Sequence, residues 1–167
     1  METRDPADVL GRLDRKMQHF EPDAMATVLY AVIEPGLGRM RSCLAGHFPP
    51  ISAQPGGAAE LVDAEPGLVI GAAAGVRRSV TTVPVPPGTL LCFYTDGLVE
   101  RVGEVIDDGL ARLCQAITAE PPDLACSAVM RALVGGEPAR DDIALLMLRR
   151  HAQDEAPGPP GLFASGR

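Results

Sequence analysis

The chain lacks any uninterrupted run of about eighteen apolar residues, the length an α-helix needs to cross a bilayer. Its first residues, Met1-Glu2-Thr3-Arg4-Asp5, carry two acids where a secretory leader needs a positive segment and then an apolar one. Together these absences give the expectation of a cytoplasmic protein with no membrane partner. Basic charge is scarce too: 15 Lys and Arg stand against 22 Asp and Glu, for a formal charge of −7, and no Lys/Arg cluster occurs. Nucleic acid is therefore not an expected partner, because affinity for a phosphate backbone rests on cations that release condensed counterions. The four cysteines, Cys43, Cys92, Cys114 and Cys126, show no Cys-x-x-Cys spacing and no His at a zinc interval. Each falls in an apolar segment, so they read as buried free thiols and not as disulfides or zinc ligands. No Gly-x-Ser-x-Gly elbow is present, which removes the support for a Ser-His-Asp hydrolase. No internal repeat is visible.

What is present suffices for a core. Apolar residues make up 46% and charged residues 22%, a balance that favours folding over disorder. Gly and Pro together supply 34 of the 167 residues without a fixed period, which implies many turns. The length suits one domain, expected over residues 1–150, followed by a Pro- and Gly-rich tail, 151–167, expected to be disordered.

Asp5-Pro6 signals a helix start, with Val9, Leu10, Leu13, Met17 and Phe20 at helical spacing behind it and Glu21-Pro22-Asp23 as its stop. The β-branched, apolar run Ala26 to Ile33 predicts a strand covered on both faces. Turn chemistry at Pro35 to Gly38 and alternation from Arg39 to Ala45 then predict a hairpin. Short strands are expected at 51–53, 60–62, 69–70 and 78–85, with 71–75 as a loop. Thr89 to Tyr94 predicts a buried strand. Two helices follow, one carrying Leu110, Leu113, Cys114 and Ile117, the next opened by Pro121-Pro122 and carrying Leu124, Val129 and Leu133. A final apolar strand is expected from Ile143 to Leu148. Strands grouped together, then helices, then a strand indicate an α+β architecture.

Two acidic positions fall at strand ends. Asp96 follows one predicted strand in Tyr94-Thr95-Asp96-Gly97-Leu98, and Asp141-Asp142 precede another. If these strands are antiparallel neighbours, Asp96 and Asp141 converge into an oxygen-rich site for a hard cation such as Mg²⁺ or Mn²⁺. Asp-Gly is also a common turn pair, and spacing alone leaves both readings open. A third signal is Ala45-Gly46-His47-Phe48-Pro49-Pro50. It holds His47 in a stiff loop, either facing a site as a hydrogen-bonding or acid–base group or packing in a turn.

In order, Ala26 to Val32, Ala45 to Pro50, Pro86-Pro87-Gly88-Thr89-Leu90-Leu91 running into Tyr94 to Glu100, and Asp141 to Leu146 resemble the PP2C-like serine phosphatases of the SpoIIE/RsbU type. The resemblance covers roughly residues 5 to 150. It implies a β-sandwich flanked by helices, in which aspartates hold two Mn²⁺ or Mg²⁺ ions and a bridging water attacks a phosphoserine phosphorus. By position it makes Asp96 a metal ligand in the Thr-Asp-Gly motif and Asp141 a second, with Asp142 in reserve. Gly97 and Glu100 receive supporting roles in the same motif. The implied substrate is a phosphorylated anti-sigma-factor antagonist, in partner-switching control of transcription or stress response.

The family's first metal motif, an Asp three residues before Gly-His-Gly, has no counterpart here. The only Gly-His is Gly46-His47, preceded by Cys43-Leu44-Ala45. The expectation is therefore an N-terminally truncated form of the fold, with two carboxylates as a thin shell and an exposed sheet edge. That edge favours self-association, with the helix carrying Leu10, Leu13 and Met17 as the candidate surface. Two functions compete: a phosphatase of this type, and a non-catalytic binding or regulatory module that keeps the recognition surface. A haloacid-dehalogenase-type phosphohydrolase is excluded, because its nucleophilic Asp would have to stand where Tyr94 does.

Overall fold

A computed structural model describes residues 5–101, 103–134 and 141–151. Helix α1 spans Pro6–Phe20. Strands β1 (Val28–Ile33), β2 (Arg39–Ala45), β3 (Ile51–Ala53), β4 (Ala59–Leu61), β5 (Thr81–Pro84) and β6 (Leu90–Tyr94) follow. Helices α2 (Ile106–Ala116) and α3 (Pro122–Leu133) precede the last strand, β7 (Leu145–Arg149). The strands form two antiparallel sheets, one ordered β1-β2-β5 and the other β4-β3-β6-β7. The α+β class expected from the sequence is thus the observed one.

Strand alternation builds the layers. On β2 and β1, Cys43, Ala45, Val28 and Tyr30 pack with Leu10 of α1 on one side of the first sheet. Met40, Ala31 and Ile33 turn to the other side, where they meet Leu91 and Phe93 of β6. Residues Leu90, Cys92 and Tyr94 of β6 point the opposite way, onto Leu113 of α2 and Val129 of α3. The period of two along each strand therefore stacks helix, sheet, sheet and helices, with apolar side chains between successive layers.

Local chemistry explains the element ends. Asp5 caps α1 by accepting from the Ala7 and Asp8 amides, and Pro6 occupies the first turn, where its missing N–H is no loss. The buried stripe of α1 is rotated from the expected one. Leu10 and Asp14 are buried, whereas Leu13 is partly exposed and Phe20 is 72% exposed. Leu10 and Met17 already pack on the first sheet, so the helix face expected to mediate self-association is largely occupied within the chain. On α3 the inward face is Ala125, Val129 and Leu133, and the expected Leu124 faces outward.

Asp14 enters the core because it is fully partnered. Its carboxylate accepts from Arg78 at 2.8 Å, from the Gly71 amide at 2.8 Å and from Gln18 at 3.1 Å. Arg78 also donates to the Leu68 carbonyl. This pair ties the 68–78 segment to α1. In that segment, residues 69–70 supply only a single bridge, Ala26 to Ile70, where a strand was expected.

Strand β1 corrects a second expectation. It has packing partners on both faces, but it lies at the edge of its sheet and is only half-buried along its whole length. β7 is likewise an edge strand, with Leu146 and Leu148 exposed. All four cysteines are free thiols, as expected, but only Cys43 and Cys92 are buried; Cys114 and Cys126 are half-buried. Of the expected tail, 151–167, residues 152–167 lie outside the described residues. Among the described residues no helix is long and apolar enough to cross a membrane.

Candidate metal corner between two strand ends

The antiparallel pairing of β6 with β7, in register Tyr94 with Leu145, brings the residues just past one strand beside those just before the other. The Thr95 amide donates to the Ala144 carbonyl at 3.1 Å, extending the ladder by one bond. Beyond it the hydroxyl of Thr95 takes over, accepting from the Ala144 amide at 2.9 Å and donating to the Asp142 carbonyl at 3.0 Å. A 3₁₀ turn, Asp96–Leu98, then reverses the chain.

Asp96 is half-buried at the start of that turn. Its Oδ1 accepts from the Gly97 amide at 2.9 Å, and its carbonyl accepts from the Val99 and Glu100 amides, each at 2.8 Å. Asp141 and Asp142 are exposed opposite it, and Asp141 Oδ1 accepts from the Asp142 amide at 2.8 Å. Gly97 shows how closely the two segments approach: a Cβ there would lie 2.9 Å from the Asp142 carbonyl oxygen and 3.3 Å from the Asp141 Cβ. Only a residue without a side chain fits that gap unless the opposite backbone shifts. The structure thus brings Asp96, Gly97, Asp141 and Asp142 to one corner. Glu100 joins it through its backbone amide, with an exposed side chain.

His47 and Gly46 sit in the loop after β2. Gly46 adopts φ +72° and has Val69 packed where its side chain would be, so its contribution is backbone shape. His47 Nδ1 lies 2.8 Å from the Phe48 carbonyl oxygen, and because a carbonyl only accepts, Nδ1 is the donor there. The imidazole lines a groove of about 430 Å³ together with Leu29, Ala31 and Ile33 of β1, Thr95, and Leu146 and Leu148 of β7. His47 therefore shares a surface with Thr95.

The donor chemistry tests whether a cation belongs at the corner. Asp96 and Asp141 each commit Oδ1 to a neighbouring amide, and no hydrogen bond among the described residues engages either Oδ2. Two carboxylates completed by water and a substrate phosphate are a normal set for a magnesium-like ion. Among the described residues no group of three or more His, Cys, Asp and Glu is arranged to hold a metal. The corner thus offers two carboxylates toward a divalent cation, which do not by themselves make a two-ion shell.

Thr95 was not singled out from the sequence, and neither was the Asp14–Arg78 pair. Thr95 stood inside the quoted motif, but a hydroxyl bonded across strands leaves no periodic trace. Asp14 sits between apolar helix positions, and nothing in the sequence ties it to an Arg 64 residues away.

Comparison with known proteins gives the same picture. The RsbU and RsbW domains of Rv1364c from Mycobacterium tuberculosis superpose with a TM-score of 0.77 at 27% identity, over 93% of this chain and 44% of that one. The PP2C domain of SiaA from Pseudomonas aeruginosa gives 0.70 at 21% identity, over 87% and 60%. The phosphatase domain of SpoIIE from Bacillus subtilis gives 0.57 at 15% identity, over 97% and 78%. The chain thus spans less than half of the first of these structures. Helix-flanked antiparallel sheets in this order are the PP2C-like fold expected from the motifs. The sequence itself matches the family described as Stage II sporulation protein E (SpoIIE) over residues 1–151, and the chain belongs to that family.

Proposed function

We propose that this chain, expected to fold as one domain over residues 1–150, serves metal-dependent hydrolysis of phosphoserine or phosphothreonine in a protein substrate. The observation that supports the reading is the close approach of the Asp96–Gly97 turn to the Asp141–Asp142 segment at the β6–β7 corner, with one carboxylate oxygen of Asp96 and of Asp141 uncommitted among the described residues. A bound Mn²⁺ or Mg²⁺ supplies charge neutralisation for the phosphoryl group and a water more acidic than bulk. Asp96 and Asp141 are the residues that would hold such an ion, with Asp142 in reserve. Gly97 keeps the two segments in close approach, and the Glu100 amide fixes the turn at Asp96. His47, lining the groove beside Thr95, stands where it can contact a substrate segment, on a loop shaped by Gly46.

The partner expected on this reading is a phosphoprotein of the anti-sigma-factor-antagonist type, and the setting is partner-switching control in the cytoplasm. The similarity to a chain that joins RsbU and RsbW domains supports that setting. Self-association remains part of the proposal, with the edge strands β1 and β7 as its surface, since the α1 face is used internally.

The second reading, a non-catalytic module that binds the same partners, is favoured by one observation: no third ligand is gathered beside Asp96 and Asp141 among the described residues. Hydrolysis of p-nitrophenyl phosphate and of a phosphoserine protein, with and without Mn²⁺, separates the two. The phosphatase reading predicts Mn²⁺-dependent turnover abolished by Asp96→Asn and by Asp141→Asn. Turnover indifferent to both changes overturns the site, and absent turnover with retained Mn²⁺ binding favours the module.

A further inference from the structure

We infer that Thr95 is the positioning residue of the corner: its hydroxyl sets where the Asp141–Asp142 segment stands relative to Asp96. This rests on the metal reading of those aspartates. The β6–β7 ladder ends at Tyr94 and Leu145, and one further backbone bond joins Thr95 to Ala144. Past that point the Thr95 hydroxyl is the hydrogen-bonded link between the strand carrying Asp96 and the Asp142 backbone among the described residues. It works in both directions, accepting the Ala144 amide and donating to the Asp142 carbonyl, so it fixes two peptide groups on either side of Ile143. Asp141 is one residue further on. Asp96 is the next residue after Thr95 in sequence, so one hydroxyl braces both carboxylate-bearing segments.

Both bonds lie at the surface. Water can replace them when the hydroxyl is removed, so global stability changes little. What water does not replace is the register of Asp141 against Asp96. Loss of such an orienting hydrogen bond typically lowers metal affinity by about 10–100-fold. A purely structural hydroxyl would show the opposite pattern, with stability lost and affinity kept.

The test compares the full chain with Thr95→Val, which keeps the shape and removes the hydroxyl, and Thr95→Ser, which keeps the hydroxyl. Three quantities are read: Mn²⁺ affinity by calorimetry, the urea midpoint, and amide hydrogen exchange at Ala144. The expected result is faster Ala144 exchange and about tenfold or greater loss of Mn²⁺ affinity in Thr95→Val, a midpoint near the parent's, and parent-like behaviour in Thr95→Ser. Parent-like exchange and affinity in Thr95→Val overturn the inference, as does a Thr95→Ser variant that behaves like Thr95→Val. If the parent chain binds no Mn²⁺, the functional reading fails. Exchange then decides the positioning claim alone: acceleration confined to Thr95→Val supports it, and unchanged exchange overturns it.

Discussion

Gly97 faces the Asp142 carbonyl across a gap in which an added Cβ would sit 2.9 Å from that oxygen. Real Cβ atoms do not tolerate such an approach to backbone, so Gly97→Ala pushes the two segments apart or deforms the 3₁₀ turn. The expected result is a loss of about 1–3 kcal/mol in stability, of the size seen for overpacking, together with weakened Mn²⁺ binding. Urea denaturation and calorimetry on the same variant check both. A Gly97→Ala chain with parent-like stability and affinity shows that the contact is looser than described.

The Asp14–Arg78 pair makes its own prediction. Both side chains are almost wholly inaccessible, so Asp14→Ala strands a buried guanidinium whose Nε already lacks a partner. Breaking such a pair by removing one member destabilises by about 3–5 kcal/mol. Replacing both members by apolar residues of similar size should cost much less, which a double-mutant comparison by urea denaturation tests.

The same carboxylate sets a pH dependence. Burial alone would raise the Asp14 pKa, but the Gly71 amide, Arg78 and Gln18 outweigh it and hold the group below the ordinary Asp value. A lowered native pKa means the pair's contribution is fully present above the unfolded value of about 3.9 and is lost as pH falls through the native pKa. Stability should therefore be flat from pH 7 to about 5 with respect to this group and fall below that. Asp14→Asn should show a shallower acid limb, and an identical limb contradicts the assignment.

Thiol reactivity follows from burial. Cys92 lies in the core between β6 and the helices, and burial foremost pushes its pKa up to about 12. Cys43 is also buried and shifted upward. Thiolate is the reactive form, so neither should react with a disulfide reagent at pH 8 while the chain is folded. Labelling followed by mass spectrometry should place early modification at Cys114 or Cys126 only. Rapid labelling of Cys92 in the native state would falsify the packing of that layer.

Much of this fold is legible in the residues because alternation and turn chemistry are local. Asp5-Pro6 caps α1 where it should, and Pro35 to Gly38 closes the β1–β2 hairpin. Leu90 to Tyr94 forms the buried strand next to β7. The approach of the Asp96–Gly97 turn to the Asp141–Asp142 segment follows once those two strands are taken as antiparallel neighbours. An exposed sheet edge was expected, but which strand forms it was not legible: Ala26 to Ile33 reads as a fully covered strand because apolarity does not say whether a strand lies at the edge or in the middle of its sheet. Nor was the α1 stripe, since Asp14 becomes a core residue only through Arg78 and Gly71, both far off in sequence. The brace at Thr95 escapes for the same reason: its partners lie 47 and 49 residues away.

Titration of the purified 167-residue chain with Mn²⁺, beside Asp96→Asn and Asp141→Asn, tests the metal corner most directly. The account predicts one Mn²⁺ bound by the parent chain and at least a tenfold loss of affinity in each variant, with urea midpoints near the parent's. Binding that survives both substitutions unchanged, or two ions held tightly by the parent chain, would contradict it.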